Sequence, residues 1–316
     1  MAVGDNIKMR RFQLRMSQQE LAEAMGYKTR STIAKIESGE NDVSQKKLQK
    51  FAAVLDTTVE FLIAGYSTVD TYKQSVQNIV DIKENKYIAV ILAGGKSGRN
   101  QQNIPSQFIS VHGKPILVHC LEVYQAHPSI DDIYVVCLKG WESIVAAYSK
   151  EYGITKLRGL VPAGNSGMSS LQNAVEIIKE RYDPNDFVII QEATRPLVSI
   201  ETISKLLYAC MEKGSATICH SMNEYVQFEL REQRAQYIDR NNIIALQSPE
   251  AHRLFLLNEV FDKVKSQNYL LTESCCTMLL YNFGYDINFI EGGINNIKIV
   301  REEDIAAFGV LASKTF

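Results

Sequence analysis

A chain of 316 residues that is 46% hydrophobic and 22% charged has a globular composition and length enough for two domains. A formal net charge of −2 excludes a global pull toward nucleic acid or membrane, so any nucleic-acid contact must come from a local patch. No apolar run approaches the ~20 residues that span a bilayer, and no signal-peptide core opens the chain. The six scattered cysteines form no CxxC pair, which argues against zinc and fits free thiols in the cytoplasm.

Residues 1–66 read as a compact all-α unit. Ser17-Gln18-Gln19-Glu20 is a capping box, whose hydroxyl and carboxylate satisfy helix N–H groups reciprocally. It starts a helix over Gln18–Met25 that buries Leu21, Ala22 and Met25. Gly26 ends it, and a tight turn leads to a second helix over Thr29–Ser38, with Ile33 and Ile36 inward and Arg30, Ser31, Thr32 and Lys35 outward. Two further helices carry Leu48, Phe51, Ala52 and Leu55, then Val59, Phe61, Leu62 and Ile63. Two short helices joined by a glycine turn, the second presenting small and basic residues, are what a helix-turn-helix needs.

The string MSQQELAEAMGYKTRSTIAKIESGEN resembles the phage-repressor (Cro/XRE) type of DNA-binding domain, over about residues 6–65. The resemblance implies that Thr29, Arg30, Ser31, Thr32 and Lys35 reach bases or phosphates, that Gln18 sits at the groove margin, and that Arg11 pairs with Glu37 structurally. Ten Lys and Arg against eight Asp and Glu make the unit only mildly basic, so a module kept for protein contacts is the other reading. One module makes few phosphate contacts, and useful affinity for DNA needs a homodimer on two half-sites.

Residues 67–86 are polar, with Val69, Tyr72, Val76 and Ile79 spaced by three and four as a helical stripe. Two heptads are too few for a coiled coil. The stretch reads as a linker helix lying on one of the domains, or as a dimerisation helix that sets half-site spacing.

From Tyr87 buried strands alternate with amphipathic helices. Strands are expected at Ile88–Ala93, Asp132–Leu138, Lys156–Val161, Asp186–Gln191, Ala216–His220 and Asp286–Ile290. Helices are expected at Ile116–Ala126, Trp141–Glu151, Ser169–Arg181, Ile200–Lys213, Arg253–Val264, Thr272–Tyr281 and Glu302–Leu311. This alternation predicts an α/β Rossmann-like domain over 87–316, with a mostly parallel sheet and its site along the strand C-termini. Residues 225–247 break the rhythm and read as a β-hairpin arm.

The first strand runs straight into Gly94-Gly95-Lys96-Ser97-Gly98-Arg99. Bare amides at a strand end suit phosphate, although neither the P-loop nor the dinucleotide spacing is met and a plain tight turn would look similar. Polar clusters at the other expected strand ends add weight: Gly164-Asn165-Ser166 with Ser169 and Ser170, Gln191 to Pro196, Thr272-Glu273-Ser274, and Glu291 to Lys298. Glycine amides, hydroxyls, cations and the carboxylates of Glu192 and Glu273 at one sheet edge suit a nucleoside triphosphate and Mg²⁺.

These clusters, in this order, resemble the cytidylyltransferases that act on methylerythritol phosphate and ribitol phosphate, over about residues 87–311. The matching strings are V-I-L-A-G-G-x-x-x-R with P-S-Q-F, G-N-S-x-x-x-S, E-A-T-R-P, Q-S-P-E, T-E-S and E-G-x-x-x-N-I-K. The resemblance implies attack of a polyol- or sugar-phosphate oxygen on the α-phosphorus of CTP, with Mg²⁺ bound and dimers usual. It places Gly94, Gly95, Lys96, Ser97, Gly98, Gly164 and Ser170 at the nucleotide, Arg99, Arg195 and Lys298 in catalytic positions, and Glu192 and Glu273 at the metal. The family pattern has a lysine where this chain has Ser106, glycine at Ser97, arginine at Gly167, and aspartate at Glu192 and Glu273. An arm lysine has no counterpart among Asn223, Glu224, Tyr225 and Val226. Two functions follow: a cytidylyltransferase tethered to a DNA-binding domain, or a regulator whose transferase-like domain senses CTP or a CDP-polyol without turnover. A third reading makes the large domain a dimerisation scaffold.

Overall fold

The computed structural model describes residues 3–14, 16–64, 85–96, 104–222, 226–231 and 234–315. The chain divides between Glu84 and Asn85 into two compact units. The helix expected over 67–86 lies outside the described residues, save Asn85 and Lys86, which are not helical.

The first unit holds α1 (Val3–Gln13), α2 (Gln18–Met25), α3 (Arg30–Glu37), α4 (Gln45–Val54) and α5 (Val59–Ala64). The capping box is formed: Glu20 N–H donates to Ser17 Oγ at 3.1 Å, and Ser17 N–H to Glu20 Oε2 at 2.6 Å. Gly26 closes α2 in the left-handed region at φ 77, where a side chain would be strained. Ile7, Leu21, Ile33, Phe51, Leu55 and Leu62 meet in a solvent-free core. The sequence pattern hides α1, because Asn6, Arg10 and Arg11 share its buried face with Ile7 and Met9. Their donors reach carbonyls at the far end of the unit, Arg10 Nε donating to Leu55 O at 2.8 Å and Asn6 Nδ2 to Leu62 O at 3.1 Å.

The second unit is built on a seven-stranded sheet. Its strands are β1 (Tyr87–Ala93), β4 (Asp132–Cys137), β5 (Leu157–Pro162), β6 (Phe187–Glu192), β7 (Ser215–Ser221), β10 (Ile244–Arg253) and β11 (Asn288–Glu291), in the spatial order β11-β7-β10-β6-β1-β4-β5. Two short ribbons lie outside it, β2 (Ser110–Val111) with β3 (Lys114–Pro115) and β8 (Gln227–Arg231) with β9 (Arg234–Ile238). All pairings in the large sheet are parallel except those of β10, which runs antiparallel between β6 and β7. Alternate residues of β1 point to opposite layers: Ala89, Ile91 and Ala93 into one core, Ile88 and Val90 into the other. That two-sided burial is why the run from Ile88 to Ala93 is continuously apolar.

Two sequence expectations change. The arm is shorter than 225–247, a hairpin over Gln227–Ile238 in which Phe228 faces Tyr237. A 3₁₀ turn, Arg240–Asn242, follows the hairpin, capped by Asp239, whose Oδ1 accepts from Asn241 N–H at 3.0 Å. Ile244 onward then belongs to β10, a strand hidden by Gln247, Ser248 and Pro249 in its middle, where the register shifts between Gln247 and Glu250. All six cysteines are free thiols, five of them buried and Cys275 half-buried.

Candidate functional site

The end of β1 is pinned from two sides. A Cβ on Gly94 would lie 2.5 Å from Cβ of Ala163, so only glycine lets β1 approach the loop after β5, whereas at Gly95 a Cβ would meet nothing within 4 Å. Gln107, from the 3₁₀ turn Ser106–Phe108, donates Nε2 to Ala93 O at 2.8 Å and to Gly95 O at 2.9 Å. The loop after β5 is held by its own side chains. Gly164 N–H donates to Ser170 Oγ at 2.9 Å, and Ser166 and Ser169 cap each other at the start of the helix Gly167–Ile178.

The turn after β6 carries the charge. Arg195 Nε donates to Glu192 Oε2 at 2.9 Å, its guanidinium also donates to Asn296 O at 2.8 Å, and Lys298 donates to Glu192 Oε1. Gln191, fully buried, braces the turn by donating Nε2 to Glu192 O and Arg195 O, both at 3.0 Å, while accepting from Tyr124 OH. Asn296 Nδ2 donates to Ser248 O at 2.8 Å, and Ser248 Oγ accepts from Glu192 N–H at 3.1 Å. The N-I-K segment, the E-A-T-R-P turn and β10 are thereby bonded to one another.

These elements enclose a cavity of about 780 Å³, roomy enough for a nucleotide. Gly94, Gly95, Lys96, Gly164, Ser170, Glu192, Arg195 and Lys298 all line it. Ser97, Gly98 and Arg99 lie outside the described residues. Ser106 is 3% exposed and is not among the lining residues; its neighbour Gln107 is. Sequence reasoning missed Gln107, Thr217, Ser248 and Glu250, of which Gln107, Ser248 and Glu250 stood inside strings already singled out.

Glu273 is a correction. Its carboxylate accepts from Tyr269 OH at 2.5 Å, Asn282 Nδ2 at 3.0 Å and Thr272 N–H at 3.1 Å, and it does not line the cavity. Burial alone would raise its pKa, but the Tyr269 hydroxyl and the other donors hold it below the usual carboxylate range. The segment Thr272–Ser274 is no strand end; it links the helices Leu254–Ser266 and Cys276–Asn282, which leaves Glu273 beside their polar groups. The acid that β10 does bring in is Glu250, whose oxygens accept from Cys276 N–H (3.0 Å), Thr277 N–H and Thr277 Oγ1 (both 2.7 Å). Burial pushes its pKa up, yet His252 at 3.5 Å and Thr277 bring the net shift below the ordinary value. Mg²⁺ characteristically takes one or two carboxylates together with substrate phosphates, and of Glu192 and Glu273 only Glu192 lines the cavity. Every oxygen of Glu192, Glu250 and Glu273 is bonded within the protein, and no group of three His, Cys, Asp or Glu able to hold a metal occurs among the described residues.

Residues 87–312 match the model of the 2-C-methyl-D-erythritol 4-phosphate cytidylyltransferase family. The chain belongs to that family. Residues 7–62 match a helix-turn-helix model. The family domain is 33% identical over 222 residues to a ribitol-5-phosphate cytidylyltransferase of Lacticaseibacillus paracasei, covering 70% of this chain and 95% of that protein. A 2-C-methyl-D-erythritol 4-phosphate cytidylyltransferase of Clostridium botulinum is 27% identical over 222 residues, with coverage of 70% and 95%. Among solved structures, the Francisella tularensis 2-C-methyl-D-erythritol 4-phosphate cytidylyltransferase superposes with a TM-score of 0.59 at 25% identity, over 74% of this chain and all of that one.

In the helix-turn-helix unit, α3 presents Arg30, Ser31 and Lys35 to solvent, with Thr29 exposed at its start and Thr32 half-exposed. Thr29 and Ser31 share a hydroxyl hydrogen bond of 2.7 Å. Arg11 and Glu37 form a buried two-pronged pair, Nε to Oε1 at 2.6 Å and the second nitrogen to Oε2 at 2.9 Å. Gln18 Nε2 donates to the same Oε2 at 2.9 Å, which fixes the start of α2 against the end of α3.

Proposed function

We propose that the second unit binds CTP in this cavity and transfers CMP to a polyol phosphate with release of pyrophosphate, while the helix-turn-helix unit binds DNA to regulate transcription in the cytoplasm. The observation that carries the first part is the convergence of Arg195 and Lys298 on a single anionic point in a cavity that also holds Lys96 and the glycines of β1. Nucleotidyl transfer needs positioning and charge neutralisation more than a nucleophilic side chain. The acceptor's phosphate oxygen attacks the α-phosphorus, the bond to the β-phosphate's bridging oxygen breaks, and the guanidinium and ammonium groups take up the charge that gathers on the non-bridging and leaving oxygens. Burial pushes the Cys275 thiol up to about 11 and raises that of Cys276 well above its ordinary value, so neither cysteine lining the cavity offers a thiolate for a covalent route. Ribitol 5-phosphate is the first acceptor to test, since the Lacticaseibacillus paracasei relative is named for it.

The test is pyrophosphate release from CTP with ribitol 5-phosphate and other polyol and sugar phosphates, with Lys298→Ala as control. Release that depends on the acceptor and drops on the order of 10²-fold in the control supports the reading. No release with any acceptor removes the transferase half. The second reading, a CTP or CDP-polyol sensor, is favoured by the buried Ser106 and by Gly167, two positions where the family pattern places cations. It predicts thermal stabilisation by CTP without turnover. DNA binding is supported by the exposed Arg30 and Lys35 on α3, and a dimer supplies the second set of phosphate contacts. Retardation of the gene's own upstream DNA, lost in Arg30→Ala, tests it; sedimentation equilibrium tests the dimer.

A further inference from the structure

Glu192 bears on how the nucleotide is admitted. In the family pattern an aspartate stands here; the longer glutamate reaches two cations at once, with one oxygen on Arg195 Nε at 2.9 Å and the other on Lys298. The guanidinium is nearly enclosed, at 14% exposure, and is fixed from behind by Asn296 O. Lys298 is more open, at 44% exposure, and already lines the cavity. The carboxylate thus occupies the place between the two cations that an oxygen pair of a phosphate would take.

We propose that Glu192 is a stand-in anion: it keeps Arg195 and Lys298 paired in the unliganded site, yields them to the nucleotide's phosphates, and so opposes CTP binding. This rests on the reading that the cavity takes CTP. A triphosphate offers several oxygens to the same two cations and outcompetes one carboxylate. Removing the carboxylate then strengthens binding, whereas removing a metal ligand weakens it, so one substitution separates the two roles.

The experiment is calorimetric titration of the full-length protein with CTP, in EDTA and in excess MgCl₂, for wild type and Glu192→Gln. Glu192→Gln is expected to bind about tenfold tighter in EDTA, the scale of two partly exposed ion pairs. Binding that appears only in MgCl₂ and is weakened by Glu192→Gln overturns the proposal and makes Glu192 a metal ligand. Absence of CTP binding by wild type in either buffer overturns the CTP reading itself, and this inference with it. If Glu192→Gln does not fold, Glu192→Asp serves: withdrawn by one methylene, it is expected to bind CTP in EDTA more tightly than wild type, and weaker binding contradicts the proposal.

Discussion

Gln107 holds Gly95 in place: its side-chain amide donates to Gly95 O at 2.9 Å and, with the same nitrogen, to Ala93 O at 2.8 Å. One buried side chain thus fixes the exit of β1 and the first turn of the glycine loop, fourteen and twelve residues back in the chain. Gln107→Leu leaves two carbonyls without that donor, at a cost of about 1–3 kcal/mol for the buried groups. The expected result is a melting temperature lowered by a few degrees and a larger rise in KM for CTP than fall in kcat, read by thermal melting and steady-state kinetics.

Gly94 and Gly95 differ although they are adjacent. At Gly94 a methyl would sit 2.5 Å from Cβ of Ala163, an atom tied to backbone that cannot swing aside, while at Gly95 it meets open space. Gly94→Ala is therefore expected to destabilise the second unit by about 1–3 kcal/mol and to impair CTP binding. Gly95→Ala is expected to leave the urea-unfolding midpoint unchanged and to act, if anywhere, on CTP affinity. Equal effects of the two on stability would contradict the close approach of β1 to the Ala163 loop.

In the helix-turn-helix unit, stability and recognition rest on different residues. Arg11→Ala strands the buried Glu37 carboxylate and is expected to cost about 3–5 kcal/mol, seen as a lower unfolding midpoint of that unit. Arg30→Ala and Lys35→Ala, both exposed on α3, are expected to leave the midpoint within about 0.5 kcal/mol. Each should weaken DNA binding and, where it touches a phosphate, reduce the salt slope by about 1.

His127 makes stability depend on pH. Ser129 N–H donates to its Nδ1 at 3.2 Å, so Nε2 carries the proton and donates to Ser204 Oγ at 3.0 Å. Burial, and then the nearby Lys156 ammonium, push its pKa down from 6.5 to about 3. Between those values the unfolded ring binds a proton that the folded ring refuses. Stability is therefore complete above about pH 6.5 and falls as pH drops toward about 3, by up to about 1.4 kcal/mol per unit. Urea midpoints measured at pH 7 and pH 5 should drop less in His127→Asn than in wild type, although the variant starts lower.

The strands buried on both faces were legible because an apolar run as short as Ile88–Ala93 has no other home, and the capping box at Ser17 marked α2 to the residue. β10 was not legible. Its middle, Gln247-Ser248-Pro249, turns its polar groups toward the cavity, so a sheet strand reads as a loop motif. Glu273 misled for the opposite reason: T-E-S matched a metal-site pattern, but its neighbours Tyr269 and Asn282 claim the carboxylate once the helices fold. Gln107 lay inside P-S-Q-F, where attention falls on the missing lysine at Ser106. Its role depends on carbonyls more than ten residues away, which no spacing rule encodes.

The most direct test of the central claim is mass spectrometry of the products after incubation of the full-length protein with CTP and ribitol 5-phosphate. A CDP-linked pentitol formed in equal amount to pyrophosphate, and lost in Lys298→Ala, is the predicted result. CTP recovered intact after raising the protein's melting temperature would contradict transfer and leave a nucleotide-binding regulator.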